Sequence, residues 1–277
     1  MIVDLHLHTT ASDGRSTPAE LVDTAAANGV SVMAVTDHDT VNSCLDVASF
    51  ARARGIDTIT GIEITAVDGG RDVHMLGYFL DIDDPGLRAF LLAQRQSRVV
   101  RVQRVAERLA NLGMPVDLQP FLAAAADRGH SIGRPQVADA MIAAGHVATR
   151  REAFDRWLGG GRPAFVERDG AAPERVIEIV HATRGLISLA HPGRTGLDDR
   201  RISGLVAAGL DALEVYHSDH DAATVARYAA LADQLGALRT GGSDFHGDPN
   251  YHVMIGCVSL PESDWDRLRA AAAVRWH

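Results

Sequence analysis

Short apolar runs alternate with amphipathic stretches along most of this chain. Ile2 to Leu7 opens it with side chains pointing in alternating directions, which predicts a β-strand. Thr17-Pro18-Ala19-Glu20 is a capping box with proline at the first helical position, and the helix that follows stops at Asn28-Gly29. Val30 to Thr36 is apolar enough for a strand covered on both faces. A helix over Cys44 to Arg54, a strand over Thr58 to Thr65, the hairpin turn Asp68-Gly69-Gly70 and a return strand over Val73 to Phe79 follow.

From Asp81 to Pro163 the strand signals vanish. Helical spacing predicts segments over Pro85 to Leu112, Leu118 to Asp127, Pro135 to Ala144 and Arg150 to Trp157, so 81–163 reads as a helical insertion. After Ala164 the alternation resumes. Helices over Pro173 to Thr183, Arg200 to Ala208 and Ala222 to Leu235 lead into strands over Leu186 to Ala190, Ala212 to Tyr216 and Ala237 to Thr240. A last strand, His252 to Val258, and a helix from Glu262 close the pattern. Residues 1–80 and 164–277 would then form one α/β barrel interrupted by the insertion.

Histidine and acid residues collect where the strands end. His6 and His8 lie two residues apart on one face of the first strand, and Asp13 follows in a turn. Two imidazoles and a carboxylate converging in this way suit a divalent metal. Asp37-His38-Asp39 ends the second strand, with His38 the candidate ligand and Asp37 or Asp39 placed to orient it. Glu63 sits among Ile62 and Ile64, facing outward or serving as a ligand, and His74 could meet it across the hairpin. His191-Pro192-Gly193-Arg194, His217-Ser218-Asp219-His220 and Ser243-Asp244-Phe245-His246 end the later strands. Barrel-like α/β folds carry their sites at the carboxyl ends of the strands.

Composition narrows the chemistry. The chain has 277 residues, 46% hydrophobic, with a net charge of −9, which argues against a general nucleic-acid binder and against stable duplex binding. All 27 basic residues are arginine, so a Walker-type lysine, a Schiff-base lysine and a carboxylated-lysine metal bridge are excluded. Two cysteines, Cys44 and Cys257, make no disulfide framework; with no membrane-length apolar run and a strand starting at residue 2, a cytoplasmic protein is expected. Arg95, Arg98, Arg101, Arg104 and Arg108 form one ridge of the longest predicted helix, either a solvated face or a grip on phosphates. Arg134, expected in a loop, is the better single phosphate contact.

Taken together, His6/His8, Asp13, Thr36-Asp37-His38, Gly61-Ile62-Glu63, His74, Ala190-His191-Pro192 and Ser243-Asp244-Phe245-His246 resemble the pattern of the PHP (polymerase and histidinol phosphatase) family. The resemblance implies a distorted (β/α)7 barrel with a helical insertion and two or three divalent metals, manganese expected and zinc or iron compatible. It implies that His6, His8 and Asp244 hold one metal, that Glu63 bridges it to a second held by His74 and His191, and that Asp13, His38 and His246 hold a third.

The insertion and Gly133-Arg134-Pro135 resemble the branch acting on nucleoside 3′,5′-bisphosphates and on the 5′ ends of short RNA, although that branch often has His where this chain has Gln136. Hydroxide generated at the metals would attack phosphorus, with Asp244, His191 and His217 in the catalytic group. Arg134, Arg194 and His220 would contact the substrate. The alternatives are a histidinol-phosphate phosphatase on the same barrel, a metal-dependent C–N amidohydrolase, or a non-catalytic metal-binding domain. Oligomeric state is left open.

Overall fold

The computed structural model describes residues 1–249 and 253–276. The elements in chain order are β1 (Ile2–Leu7), α1 (Pro18–Ala27), β2 (Val30–Val35), α2 (Cys44–Ala53), β3 (Asp57–Asp68), β4 (Arg71–Tyr78), α3 (Pro85–Asn111), α4 (Gln119–Arg128), α5 (Arg134–Ala143) and α6 (Arg150–Ala153). Then follow α7 (Pro173–Ala182), β5 (Leu186–Leu189), α8 (Pro192–Thr195), α9 (Asp199–Ala207), β6 (Ala212–His217), α10 (Ala222–Leu235), β7 (Leu238–Gly242) and α11 (Glu262–Trp276).

The seven strands lie in one sheet in sequence order, parallel except at β4, which pairs antiparallel with both β3 and β5. The sheet curls into a nearly closed barrel. Its first and last strands meet at the site end, where Asp244 N–H donates to His6 O at 2.9 Å and His8 N–H donates to Phe245 O at 3.0 Å. Gly242 permits that approach: a Cβ there would stand 2.5 Å from the Cβ of His6.

Val3, Leu5, Val32, Ala34, Leu76 and Tyr78 fill the barrel interior, and Trp265 and Leu268 of α11 close its floor. The outer faces of the strands are covered by α1, α2, α7, α9 and α10 through two further apolar clusters. The segment between β4 and β5 builds its own cluster from Val102, Val105, Leu109, Val137, Met141 and Leu158. The first turns of α3 belong to the barrel instead, since Leu87 and Leu91 pack with Val176 and Ile187.

Several expectations are corrected. Because β4 runs against its neighbours, His74 reaches the site from the first half of its strand, and Glu63 from the middle of a β3 that overhangs the barrel. The hairpin expected at Asp68-Gly69-Gly70 does form, with Gly69 and Gly70 both at positive φ, as a two-residue turn between twisted strands requires. Arg134 does not lie in a loop: Pro135 and the Gln136 side chain, whose Oε1 accepts from Gly133 N–H at 2.8 Å, start α5 at Arg134 itself.

The helix expected over Arg150 to Trp157 changes pitch after Ala153 into a π-helical turn, Phe154–Leu158, closed by Gly159 N–H donating to Phe154 O. No strand forms over the described part of His252 to Val258, whose first residue lies outside the described residues. That run is a loop tied down by Gly256 N–H, which donates to Asp4 Oδ2 at 2.8 Å. Among the described residues, no helix is long and apolar enough to cross a membrane.

Candidate metal centre

Glu63 occupies the middle of the site. Its Oε2 lies 3.5 Å from His6 Nε2, 3.3 Å from His8 Nε2 and 3.1 Å from His38 Nδ1. Its Oε1 lies 2.9 Å from His74 Nδ1 and 3.2 Å from His191 Nε2. Asp244 Oδ1 is 3.3 Å from both His6 Nε2 and His8 Nε2. Asp13 faces His38, His8 and His246 at 3.5, 3.6 and 3.2 Å. All nine ligand candidates read from the sequence therefore converge.

Their donors fall into overlapping groups: His6, His8 and Asp244; His38, Glu63 and His74; and Asp13, His8, His38 and His246. The nearest pairs across the expected sharing pattern run through His8 and His38, which each touch two groups.

The donor set fits divalent cations. His6 Nε2, both ring nitrogens of His8, His38 Nδ1 and His191 Nδ1 are buried and make no hydrogen bond among the described residues. Buried polar atoms are rarely left so. Two donors each about 2.1 Å from one cation at the tetrahedral angle stand about 3.4 Å apart, the spacing these nitrogens and oxygens keep. Burial alone would raise the Glu63 carboxyl, but the imidazoles of His38, His74 and His6 outweigh it and hold Glu63 well below the usual carboxylate range. Burial opposes charge on His8, yet the nearby carboxylates of Asp244 and Glu63 push it up to about 10. For His38 burial wins, and its ring is pushed down to about 3.

The supporting shell differs from the sequence reading. Neither Asp37 nor Asp39 orients His38. Asp37 accepts from Thr9 N–H at 2.8 Å, from the Thr9 and Ser12 hydroxyls at 2.6 Å and from the Ser43 hydroxyl, bracing the loop that carries His8 and Asp13. Asp39 turns away to Arg98 and Arg168, at 2.5 and 2.9 Å. Gln136 donates to Ser12 O at 2.5 Å and tethers the same loop from α5, so it does not reach for a substrate.

His217 is buried, with Nδ1 accepting from Asp219 N–H at 3.0 Å and Nε2 3.3 Å from Asp244 Oδ2. In the neutral ring the proton is thereby placed on Nε2. His220 does not line the cavity: its Nδ1 meets Val215 O at 2.9 Å and its Nε2 accepts from Gly193 N–H at 3.3 Å, bracing the turn after His191.

The arginine ridge splits. Arg104 and Arg108 are exposed, and Arg95 is half-buried against Asp39 O. Arg98 and Arg101 are buried and line a cavity of about 340 Å³ that also exposes Glu63, His74, His191 and Asp244. One end of the ridge is thus a solvated face, and its middle is part of the cavity wall. Arg134 and Arg168 share the cavity wall, and Arg194 stands at its rim, 3.1 Å from Asp219. Asp72 accepts from Arg101 at 3.0 Å and from Arg134 at 3.1 Å. Four guanidiniums (98, 101, 134, 168) thus face two carboxylates (39, 72), leaving two positive charges over. Among the described residues, Arg101 Nη2 and Arg168 Nε have no hydrogen-bond partner. Burial, and then the neighbouring Arg101, pulls the Arg134 guanidinium down to about 10.

Sequence reading missed Asp4, Asp72, Arg168 and Glu214. Glu214 had a readable signal: an acid inside the apolar run Ala212-Leu213-Glu214-Val215, the same signature that drew attention to Glu63.

The fold and the donor set define a metal-dependent hydrolase, and comparison with known proteins gives the family. The chain matches the PHP domain over residues 4–156. It is 34% identical over 250 residues to a 5′-3′ exoribonuclease of Haemophilus influenzae, with 88% of this chain and 89% of that protein covered. It is 31% identical over 248 residues to a 3′,5′-nucleoside bisphosphate phosphatase of Chromobacterium violaceum, covering 88% and 87%. It is also 31% identical over 260 residues to a phosphoribosyl 1,2-cyclic phosphate 1,2-diphosphodiesterase of Eggerthella lenta, covering 89% and 95%.

Among solved structures, a Bifidobacterium adolescentis protein described as a metal-dependent phosphoesterase superposes with a TM-score of 0.89 at 30% identity, covering 97% of this chain and 96% of that one. A Chromobacterium violaceum protein described as an amidohydrolase, solved with bound sulfate and no metal, gives 0.87 at 30% identity, covering 98% and 97%. The chain belongs to the PHP domain family. It is a metal-dependent phosphoesterase, a hydrolase of phosphate esters.

Proposed function

We propose that this enzyme hydrolyses a phosphate ester of a ribose that carries a second phosphate: a nucleoside 3′,5′-bisphosphate, or the 5′-phosphorylated end of a short RNA. The observation that carries this reading is the arginine wall beside the metal donors, with two positive charges unmatched and two buried N–H donors unpaired. A phosphate dianion supplies the missing charge and acceptors in bidentate geometry. The names of the three relatives share phosphorylated ribose chemistry, and the sulfate in the structural neighbour is a tetrahedral oxyanion of the same shape. An amide substrate has no use for such a wall, which favours phosphate over C–N chemistry.

The ligand assignment is part of the proposal. His6, His8 and Asp244 would hold one cation, Glu63 with His74 and His191 a second, and Asp13, His38 and His246 a third, with manganese the expected metal. When bound, the cations supply Lewis-acid polarisation of phosphoryl oxygens and acidify water at neutral pH. Arg101, Arg134 and Arg168 hold the phosphate that is not cleaved. Arg194 contacts the substrate at the rim. His217 keeps a proton on Nε2 against Asp244 and so fixes that carboxylate in the cavity wall. The segment 81–163 supplies most of the arginine wall and acts as a substrate cap on the barrel of 1–80 and 164–277.

The test is phosphate release by manganese-reconstituted protein from adenosine 3′,5′-bisphosphate, a 5′-phosphorylated short RNA and histidinol phosphate at equal concentrations. Preference for either ribose substrate supports the reading. Preference for histidinol phosphate overturns it and leaves the barrel and metals in place.

A further inference from the structure

Glu214 lies in β6 with no exposed surface, on the far side of His6 from the ligand cluster. Its Oε1 accepts from His6 Nδ1–H at 2.8 Å, and its Oε2 accepts from the backbone N–H of His191 at 2.6 Å. Among the described residues no arginine pairs with it; its hydrogen bonds come from that imidazole and that amide, with the His217 ring close by. A buried carboxylate is costly to keep where an apolar side chain would fit. Both of its partners belong to ligand candidates, one from β1 and one from the end of β5.

The two contacts do different work. A proton held on His6 Nδ1 leaves the Nε2 lone pair pointing between Glu63 and Asp244, at 3.5 and 3.3 Å, where it has no hydrogen bond of its own. His191 has φ +27°, a backbone setting that a residue with a Cβ rarely adopts. The bond from its N–H to Glu214 holds that setting and so aims the ring at Glu63, 3.2 Å away.

Resting on the metal-centre reading above, we infer that Glu214 is a positioning residue for the centre. One carboxylate sets the tautomer of His6 and the backbone of His191, and so couples two ligands contributed by different strands. In Glu214→Gln the amide NH2 meets either His6 Nδ1–H or His191 N–H donor to donor, and one of the two settings is lost.

The test is equilibrium loading of metal-free protein with Mn(II), against a competing chelator, for wild type, Glu214→Gln and Glu214→Asp. Circular dichroism of each metal-free protein is the folding control. Wild-type fold with affinity weakened about 10–100-fold, the usual effect of losing a carboxylate behind a ligating histidine, supports the inference. Wild-type affinity and stoichiometry in Glu214→Gln overturn it.

If the variants do not fold, the wild-type protein decides. Long-range ¹H–¹⁵N correlation of the zinc-loaded form should show His6 protonated at Nδ1; a His6 ring protonated at Nε2 overturns the inference. Wild-type protein that takes up no metal overturns the centre itself, and this inference with it.

Discussion

Arg98, near the middle of α3, donates through Nε to Oδ2 of Asp39 at 2.5 Å, and Asp39 follows His38 directly in the chain. Arg168 adds a second guanidinium to the same oxygen at 2.9 Å. The helical segment is therefore locked to the metal centre by buried charge rather than by apolar contact alone. Removing one partner of such a group strands the others, at a cost of about 3–5 kcal/mol. Asp39→Ala should show that loss in urea unfolding, with a lowered Tm. An unchanged midpoint would mean that the arginines find solvent when released.

The same carboxylate makes stability depend on pH. Burial would raise its pKa, but Arg98 and Arg168 outweigh burial and hold it well below the ordinary carboxylate range. A depressed folded-state pKa adds stability that is complete above the unfolded value, about 3.9, and is lost as pH falls through the folded one. The stability difference between wild type and Asp39→Asn should be constant from about pH 6 to 8 and narrow below about pH 4. A difference that stays constant into strong acid would show that Asp39 is not the titrating group.

Arg134 stacks over the rings of Phe154 and Phe165, at 5.6 and 5.5 Å, and pairs with Asp72. Its loss should weaken the hold on a second phosphate without disturbing the donors around Glu63. Arg134→Met should raise KM for adenosine 3′,5′-bisphosphate about 10–100-fold, the worth of one charged hydrogen-bonding contact, with kcat changed far less. A substrate with a single phosphate should feel the change less. Equal effects on both would place Arg134 at the cleaved phosphate instead.

Chelation should abolish phosphate release and lower Tm together. Asp13, Glu63 and Asp244 crowd seven imidazoles whose nitrogens have few hydrogen-bond partners of their own. Manganese restored at about 100 times its Kd should return about 2.7 kcal/mol of stability along with activity. Activity that survives exhaustive chelation would contradict the metal dependence.

His220 and His217 should separate in kinetics. His220→Ala removes the support of Gly193 and Val215 O, and should cost about 1 kcal/mol of stability with KM within about twofold of wild type. His217→Ala removes the imidazole donor from Asp244 Oδ2 and should lower kcat by at least about tenfold. A large KM effect in His220→Ala would return that residue to the substrate.

The local order of strands and helices was legible because each element carries its own period and its own caps. Thr17 and Glu20 do form the reciprocal box around the start of α1, and Gly69-Gly70 does make the hairpin. The convergence of His6, His8, Asp13, His38, Glu63, His74, His191, Asp244 and His246 was legible for a related reason. Metal-type side chains are costly at the ends of apolar strands unless they share a purpose, and a barrel brings those ends together.

What sequence could not decide were the facing relations between distant segments. Spacing placed Arg98 and Arg101 on a ridge of α3, but whether that ridge meets water or Asp39 and Asp72 depends on how the helix docks. Arg134 sits in a helix, and His220 behind the His191 turn, because packing and hydrogen bonds local to those loops settle what a motif leaves open. Glu214 is the plainest case. An acid inside the apolar run of β6 is readable, but that it joins β1 to the end of β5 is not, since its partners lie 208 and 23 residues away. The chain by itself determined which residues could do the chemistry; only the tertiary structure decided which charges are buried against one another, because burial turns a surface arginine or an isolated acid into a fixed part of the site.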